Sequence, residues 1–217
     1  MDAALKYQAF FFDFDGVLAD SVEIKTKAFA KLFEPYGKDI VRRVMTHHRA
    51  HGGVTRKDKF RYYYKEFLNS PLNEKEVERL CQKFSSLVVD TVVSSPEIPG
   101  AENFLKKWYE RLPCFVISAT PDEEIVTIVK QRGFKNYFQE ILGSSRTKKK
   151  HMEIILKKYN LTPQKCIFFG DAETDYLAAM AHNVIFIGIV PGSHAPLLHV
   201  APEIMWARNF IELNLDG

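Results

Sequence analysis

Two aspartates separated by one residue follow the first apolar run of the chain. The run covers residues 9–12, and Asp13, Asp15 and Gly16 come soon after it. In an extended backbone, residues two apart face the same side, so both carboxylates project together from the end of a strand. Converging carboxylates repel each other unless a shared proton or a hard cation such as Mg²⁺ neutralises them. The pair therefore indicates a catalytic or metal site, the alternative being a strand end that merely turns through Asp and Gly.

A second acidic pair follows another apolar run. Residues 166–169 lead to Gly170 and Asp171, with Asp175 four residues later. Gly170 permits a sharp turn, and open α/β sheets bind ligands at the carboxyl ends of their strands. If the two strands are neighbours, Asp171 adds a third carboxylate oxygen for a Mg²⁺ site beside Asp13 and Asp15. Asp175 has an alternative interpretation, because an acidic residue also stabilises the N-terminal end of a helix.

A hydroxyl and a cluster of lysines complete this set of polar residues. Ser118 ends the apolar run at 114–117, and Lys148, Lys149 and Lys150 precede a helical pattern. A hydroxyl backed by backbone N–H groups, together with an ammonium, would hold the oxygens of a transferring phosphoryl group. Taken singly, Ser118 is more typical of a turn and the lysines of a solvated helix face. Their order relative to the aspartates favours the site.

Short apolar runs alternate with amphipathic helical patterns along most of the chain. The runs fall at residues 9–12, 114–117, 137–142, 166–169 and 184–189, and the predicted helices at 101–112, 123–132, 150–159 and 175–181. This alternation is typical of a parallel sheet covered by helices on both faces. We therefore predict an α/β fold with a Rossmann-like parallel sheet core, which brings the polar residues to one edge.

One long interval between the first two apolar runs has helical periodicity and no buried-strand pattern. Asp20 and Glu23 match a capping box that would begin its first helix. Residues 94–100, with two serines and two prolines, form a natural return linker. We predict an α/β core domain of residues 1–19 and 95–217, and a small all-helical cap domain, residues 20–94, inserted after strand 1.

The composition is that of an ordinary globular protein. The chain has 217 residues, of which 46% are hydrophobic and 26% are charged, and this excludes collagen-like, disulfide-scaffold and disordered classes. The three cysteines lack CxxC spacing and are predicted to be reduced core residues. Because no apolar run approaches the ~18 residues of a membrane span, we expect a cytoplasmic protein with no membrane partner.

Four motifs in this order resemble the haloacid dehalogenase superfamily. They are Asp-x-Asp-Gly at residues 13–16, Ser118 after the second strand, a lysine at the start of a helix, and Gly-Asp-x-x-x-Asp at 170–175. The chain is similar to the branch with a helical cap inserted just after the first motif, which includes phosphoglycolate phosphatases, sugar-phosphate phosphatases and β-phosphoglucomutases. The resemblance covers nearly the whole chain. It implies Mg²⁺-dependent chemistry on a small, anionic phosphorylated metabolite.

The resemblance also implies a role for the acidic motif residues. Asp13 would be the nucleophile that becomes an aspartyl-phosphate, and Asp15 would protonate the leaving alkoxide and then activate water. Mg²⁺ would be held by the Asp13 carboxylate, the Asp15 backbone carbonyl and Asp171.

The remaining motif residues would bind the phosphoryl oxygens or orient the groups that do. Ser118, the Ala119 backbone N–H and one lysine would bind these oxygens, and Asp175 would orient that lysine or a metal-bound water. Many relatives have Lys-Pro before this helix, and this chain has no proline there. A lysine one turn ahead of the buried helix face points toward the strand ends, which selects Lys148, with Lys149 as the alternate.

The predicted cap contains a basic segment. Residues 38–69 hold nine Lys or Arg against three Asp or Glu, a balance of +6, whereas the whole chain has a net charge of +3. We expect this segment to contact the substrate when the cap closes, through His48, Arg49, Arg56 and Lys59. A solvated basic helix is the main alternative.

Two other functions of the basic segment are disfavoured. His47, His48 and His51 match no common zinc spacing and have no cysteine nearby. Aromatic residues alternate with the basic ones, but no recognised nucleic-acid motif accompanies them, so we expect no nucleic acid partner.

The leading hypothesis is a phosphatase of the haloacid dehalogenase type, acting on a sugar phosphate or a phosphoglycolate-like compound. A phosphomutase of the β-phosphoglucomutase type, which shields its aspartyl-phosphate from water, is the main alternative. A phospho-accepting receiver is disfavoured because receivers lack the helical insertion, and a non-catalytic binding protein because each motif position holds a competent residue. A monomer and a homodimer are both compatible with the sequence.

Overall fold

The computed structural model describes residues 6–215, and at their centre is a six-stranded parallel sheet. Its strands are β1 (Ala9–Phe12), β2 (Cys114–Ile117), β3 (Glu140–Leu142), β4 (Cys166–Gly170), β5 (Ile185–Ile189) and β6 (Met205–Ala207). Their order in the sheet is β3-β2-β1-β4-β5-β6, and each neighbouring pair is parallel. The predicted α/β, Rossmann-like core is confirmed.

Helices fill the connections between the strands. They are α1 (Val22–Phe33), α2 (Lys38–Ala50), α3 (Arg56–Tyr62), α4 (Glu74–Ser94), α5 (Ala101–Trp108), α6 (Asp122–Gln131), α7 (Lys148–Lys158), α8 (Glu173–Met180) and α9 (Pro196–Val200). Short 3₁₀ turns occur at Glu34–Tyr36, Lys135–Tyr137 and Pro163–Lys165, and a π-helical turn at Tyr63–Phe67 follows α3.

The central strands are buried on both faces, which explains why their sequences are apolar throughout. In β1, Phe10 and Phe12 belong to one core cluster, and Phe11 packs on the opposite face against Phe115 and Phe168. All five rings are fully buried. The alternation follows from the two-residue period of a strand.

The interval between β1 and residue 94 contains only helical elements. Aromatic rings of α1, α3 and α4 form its interior, with the centroids of Phe29 and Phe84 4.5 Å apart and those of Phe29 and Phe60 5.2 Å apart. This interior is continuous with the cluster on one face of the sheet. The boundaries of the two proposed domains stay a prediction.

The capping box expected from Asp20 and Glu23 is wrong. Helix α1 begins after Ser21, and no side chain caps its first turn. The Ser21 hydroxyl instead donates to the Asp15 carboxylate at 2.6 Å. The Ser21 side chain therefore bonds to the loop after β1 and does not cap the helix.

The strand order brings the predicted site residues to one edge of the sheet. β1 lies between β2 and β4, and Phe12, the last residue of β1, pairs with Phe169 of β4. The residues that follow these strands, Asp13, Ser118 and Asp171, therefore lie at adjacent carboxyl ends.

The three cysteines form no disulfide bond with one another. Cys114 and Cys166 are buried, Cys81 is partly buried, and all three are free thiols. Within residues 6–215, no helix combines the length and the hydropathy needed to cross a bilayer.

Candidate active site

Three carboxylates converge where β1, β4 and α8 meet. Asp13 is 3% exposed, and Asp175, in the first turn of α8, is completely buried. One carboxylate oxygen from each of Asp13, Asp171 and Asp175 lies within 4.8 Å of the others. Gly16 makes room for this cluster, because a Cβ there would overlap the Asp171 carboxylate, and its φ of +79° also suits glycine.

The carboxylate cluster carries more negative charge than one lysine neutralises. Burial raises the pKa of Asp13 to about 7, although the Lys148 ammonium opposes the shift. Burial, and then the charge of Asp13, raise the pKa of Asp171 well above its usual range. An all-oxygen donor set with excess negative charge is what Mg²⁺ prefers in proteins. The residues present therefore fit a magnesium ion.

Lys148 occupies the position between two of these carboxylates. Its Nζ lies 2.8 Å from Asp13 Oδ2 and 2.6 Å from Asp175 Oδ1. The other oxygen of Asp175 accepts the Ala172 backbone N–H at 3.2 Å, so both oxygens of Asp175 are engaged. Lys149, the predicted alternate, is exposed. The choice of Lys148 from the helical pattern agrees with its placement.

Asp15 is held apart from the cluster by three hydrogen-bond donors. Ser21 Oγ donates to Oδ1 at 2.6 Å, and Lys25 Nζ and Thr120 Oγ1 donate to Oδ2 at 2.5 and 3.2 Å. Burial on its own raises the pKa of Asp15, but the Lys25 charge and these hydrogen bonds hold it below its usual range. Ser21, Lys25 and Thr120 were not among the predicted site residues, because no local pattern in the sequence connects them to Asp15.

Ser118 and Ala119 follow β2 and share a cavity lining with Lys148. Ser118 is buried at the end of β2, where its backbone N–H donates to the Leu142 carbonyl at 2.9 Å. Its Oγ accepts the Thr120 backbone N–H at 3.1 Å. Ser118, Ala119 and Lys148 all line a cavity of about 330 Å³. The three residues predicted to bind phosphate are therefore neighbours.

A larger cavity of about 580 Å³ lies between the sheet edge and the helical insertion. Asp13, Asp15 and Asp171 line it from the sheet, and His48 and Lys59 line it from the insertion. This volume suits a small metabolite, because ligand pockets in proteins span about 300–1,000 Å³.

The two cavities adjoin, with Gly53, Val54 and Ala119 in both linings, where a glycine pair of the insertion touches the loop after β4 and the first turn of α8. A Cβ on Gly52 would approach the Ala172 methyl group to 3.2 Å, and one on Gly53 would overlap the Thr174 hydroxyl. Gly53 also has a φ of +74°. The close approach of insertion and core therefore depends on glycine at this position.

His48 and Lys59, two of the four predicted substrate contacts, form a buried pair that faces the larger cavity. Lys59 Nζ lies 2.8 Å from His48 Nδ1. Burial, followed by the charge of Lys59, lowers the pKa of His48 to about 2. The imidazole is therefore neutral, and its Nδ1 accepts a hydrogen bond from the Lys59 ammonium.

Arg49 and Arg56, the other two predicted contacts, also line the cavity but have protein partners. Arg49 donates to both oxygens of Glu23 at 2.7 and 3.0 Å. Arg56 donates to both oxygens of Glu124 at 2.8 and 2.5 Å, and to Ser85 Oγ at 2.7 Å. Glu124 belongs to α6, so Arg56 ties the insertion to the core rather than presenting a free charge to the cavity.

We expect Arg56→Met to lower the free energy of unfolding by about 3–5 kcal/mol, because it leaves Glu124 buried without its partner. The two side chains are only 5% and 9% exposed. Urea denaturation provides the measurement. The matched control is Arg49→Met, because the Arg49–Glu23 pair is 46% and 55% exposed and such pairs contribute about 0–1 kcal/mol. Equal losses in the two variants would contradict a structural role for the buried pair.

The other histidines of the insertion form a separate stack. The rings of His47 and His51 lie 3.9 Å apart, and His47 Nδ1 is 3.2 Å from the Tyr63 hydroxyl. Burial and the nearby His51 lower the pKa of His47 to about 4. Among residues 6–215, the group of three potential metal ligands that converges is the aspartate cluster, and these histidines are not part of it.

This fold and this site define a class of protein: a Rossmann-like α/β protein with acidic residues at the carboxyl edge of a parallel sheet. Residues 10–189 match the family of haloacid dehalogenase-like hydrolases, and the chain belongs to that family. The resemblance seen in the four sequence motifs is thus confirmed.

Two curated relatives of the chain have names that state a reaction. A "phosphorylated carbohydrates phosphatase" of Thermotoga maritima is 23% identical over 82% of this chain and 82% of its own length. A "phosphoglycolate phosphatase 1" of Pseudomonas aeruginosa is 22% identical over 89% of this chain and 74% of its own.

Solved structures share the fold. A β-phosphoglucomutase of Clostridium difficile has a TM-score of 0.77 and 22% identity, covering 96% of this chain and 94% of its own. A predicted phosphoglycolate phosphatase of Haemophilus somnus has a TM-score of 0.73 and 17% identity, covering 94% of this chain and 95% of its own.

Proposed function

We propose that the protein is a Mg²⁺-dependent phosphatase that hydrolyses a small phosphorylated metabolite through an aspartyl-phosphate. The observation that carries this proposal is the placement of Asp13, which lies at the carboxyl edge of the sheet with Lys148 Nζ 2.8 Å from its carboxylate. Asp171 lies in the same cluster, and Asp15 is held separately two residues further along the chain. The names of the curated relatives support hydrolysis of a phosphate ester.

Asp13 is the proposed nucleophile. One carboxylate oxygen attacks phosphorus, and the bond between phosphorus and the leaving-group oxygen breaks. When bound by Asp13, Asp171 and the Asp15 carbonyl, Mg²⁺ would offset the repulsion between this carboxylate and the phosphate. The Lys148 ammonium, 2.8 Å from Asp13 Oδ2, would also offset this repulsion.

Asp15 is the proposed acid and base. It would protonate the alkoxide as it leaves and then accept a proton from the water that hydrolyses the aspartyl-phosphate. Its hydrogen bonds to Ser21, Lys25 and Thr120 keep its carboxylate apart from the cluster. The two aspartates therefore have different partners, since Lys148 lies beside Asp13 and three hydroxyl or ammonium donors surround Asp15.

The phosphoryl oxygens are proposed to bind Ser118, the Ala119 backbone N–H and Lys148. These residues line one cavity wall, and such donors stabilise charge on a transferring phosphoryl group. Asp175 is a positioning residue, because both of its oxygens are bonded, one to Lys148 and the other to the Ala172 N–H.

The helical insertion, residues 20–94, is proposed to act as a cap domain on the core of residues 1–19 and 95–217. The Gly52–Gly53 contact with the loop after β4 and the Arg56–Glu124 pair support this closed arrangement. A closed cap excludes bulk water from the reacting groups.

Removal of the metal tests the proposed phosphatase activity. Incubation with EDTA is expected to lower Mg²⁺-dependent phosphate release at least about 100-fold, because a bound metal contributes several kcal/mol to transition-state stabilisation. Readdition of MgCl₂ is expected to restore the rate, and circular dichroism in both states serves as the control for folding. Phosphate release that is unchanged by EDTA would count against the metal site.

A phosphomutase would use the same two aspartates, so the assay must separate the reactions. We expect inorganic phosphate to be released from several phosphomonoesters, and no conversion of glucose 1-phosphate to its isomer. Isomerisation faster than phosphate release would reverse this assignment.

A further inference from the structure

The smaller cavity reaches the protein surface through residues that do not line the larger one. Ser118 and Lys148 form its buried inner end. Its outer end contains five residues exposed to solvent, Asp58, Arg146, Thr147, Lys149 and Leu177, and none of the five lines the larger cavity. The smaller cavity therefore leads from two of the proposed phosphate-binding residues to an opening of its own.

The two openings differ in charge. At the smaller one, Arg146 and Lys149 are accompanied by one exposed carboxylate, Asp58, which lies 3.5 Å from Arg61. Within residues 6–215, no carboxylate lies at ion-pair distance from Arg146 or Lys149. The larger opening has an excess of carboxylates, because its exposed charged residues are Asp20, Glu23, Glu173, Arg49 and Arg208. A dianion such as phosphate is therefore attracted to the smaller opening more than to the larger one.

The loop that carries Arg146 is held in place by the core. Both oxygens of Asp122 accept backbone N–H groups of this loop, from Gly143 at 2.9 Å and from Ser145 at 2.9 Å. The Gly143 carbonyl also lies 2.8 Å from Nε2 of the buried His151. This wall of the smaller cavity is therefore fixed by contacts within the core and does not depend on a movement of the insertion.

The proposed phosphoryl site lies where the two cavities adjoin. Ser118 and Lys148 line the smaller cavity, Asp13 and Asp15 line the larger one, and Ala119 lines both. The attacking and leaving oxygens of a phosphoryl transfer are roughly in line, and Asp15 is the proposed acid, so the alcohol departs into the larger cavity. Phosphate forms only after water has replaced the alcohol, and it is then bound by residues of the smaller cavity.

We propose that the smaller cavity is the exit route of inorganic phosphate, and that Arg146 and Lys149 form a transient binding site for this dianion at its opening. The ester enters, and the alcohol leaves, through the larger cavity. The proposal rests on the phosphatase activity proposed above and adds a separate route for the second product. Phosphate then leaves while the buried Arg56–Glu124 pair still holds the insertion against the core.

A removable tag at the opening of the smaller cavity tests this route. Leu177→Cys is treated with a methanethiosulfonate reagent that attaches a sulfonate through a disulfide, and dithiothreitol then removes the tag. Leu177 is 53% exposed, so the new thiol is accessible and the core packing is kept. The matched control is Met180→Cys, which is 41% exposed in the wild type, lies on the same helix and lines neither cavity. Treatment of the wild type measures any reaction of its own three cysteines.

The readout compares the phosphate that is formed with the phosphate that is released. Acid-quenched flow measures all phosphate formed, and stopped flow with a fluorescent phosphate-binding protein measures free phosphate. In tagged Leu177→Cys we expect release to slow about 10-fold or more, because bulk and like charge obstruct the opening. About one equivalent of bound phosphate should then form in a burst before any is released. We expect kcat/KM for the ester to stay within about twofold of the untagged variant, because substrate entry is unaffected.

Substitution of the two cations tests their part in the route. Arg146→Met combined with Lys149→Met is expected to slow phosphate release about 3- to 10-fold, because the dianion then leaves the buried site without an intermediate cation. Lys150→Met is the control, since Lys150 is an exposed lysine of the same helix that lines neither cavity. Unchanged release in the double variant would overturn the assignment of these two residues.

The remaining outcomes separate the exit route from the phosphatase activity. Release that is unchanged by a tag on Leu177→Cys, with the tag verified by mass spectrometry, would overturn the route while phosphatase activity stands. Equal slowing in tagged Met180→Cys would do the same, and so would a loss of kcat/KM as large as the loss in release, because ester and phosphate would then share one opening. Failure to form phosphate from any ester would remove the proposed function itself.

Discussion

Asp13→Asn is expected to lower kcat for Mg²⁺-dependent phosphate release by about 10⁴-fold or more, the scale on which loss of a nucleophile acts in hydrolases. The amide cannot supply the carboxylate that attacks phosphorus, and it removes one negative ligand from the proposed metal site. The substitution keeps the size of the side chain. Its oxygen can still accept the Phe14 N–H that Asp13 Oδ1 accepts at 2.7 Å, so the fold should survive.

Phosphate release from a phosphomonoester at saturating Mg²⁺ provides the measurement, with thermal unfolding as the check on folding. Asp90→Asn is the matched control, because Asp90 is an exposed carboxylate of α4 that lines neither cavity, and we expect it to retain activity within about threefold. Mass spectrometry of acid-quenched wild-type enzyme is expected to find one phosphoryl group on Asp13. More than about one hundredth of wild-type activity in Asp13→Asn would exclude Asp13 as the nucleophile.

The sheet and the convergence of its acidic residues were predictable because they depend on short-range patterns. A strand buried on both faces must be apolar throughout, and β1, β2 and β4 each show this. Parallel strands end at one edge, so residues just after them meet regardless of chain separation. Lys148 followed from the helical period, since Met152 one turn later is buried.

The partners of the site residues were not predictable because they depend on tertiary contacts. Thr120 meets Asp15 across 105 positions of the chain, and Glu124 meets Arg56 across 68. Neither contact corresponds to a residue spacing that can be recognised in the sequence. Strand β6 was missed for a different reason, since it is only three residues long and Met205 is 63% exposed.

The basic segment presents less unpaired positive charge in the structure than its sequence balance indicates. The segment has a balance of +6 in sequence, but Arg42, Arg49, Arg56, Arg61 and Lys65 each form an ion pair with an acidic residue. Three of those acidic partners, Glu23, Glu74 and Glu124, lie outside the segment. Of the three Lys or Arg residues predicted to contact the substrate, Arg49 and Arg56 are paired with carboxylates, and Lys59 has no carboxylate within ion-pair distance among residues 6–215.

Asp15→Asn is expected to produce a defect that depends on the leaving group. With an alkyl phosphate, the first step needs protonation of a poor leaving group, so kcat should fall by about 10²–10⁴-fold. With p-nitrophenyl phosphate, the leaving phenolate needs no proton, and the first step should remain fast. Hydrolysis of the aspartyl-phosphate still lacks its base, so the enzyme should accumulate as the phosphorylated form.

Stopped-flow absorbance with p-nitrophenyl phosphate separates these steps. We expect Asp15→Asn to release about one equivalent of nitrophenolate per active site in a burst, followed by slow turnover. Ser21→Ala is the matched control, because it removes one 2.6 Å hydrogen bond from Asp15 but leaves the carboxylate; its loss should be about 10-fold or less on both substrates, without a burst. Equal losses on both substrates and no burst in Asp15→Asn would contradict the acid and base role. The hydrogen bonds that hold Asp15 apart from Asp13 would then serve only to orient the loop.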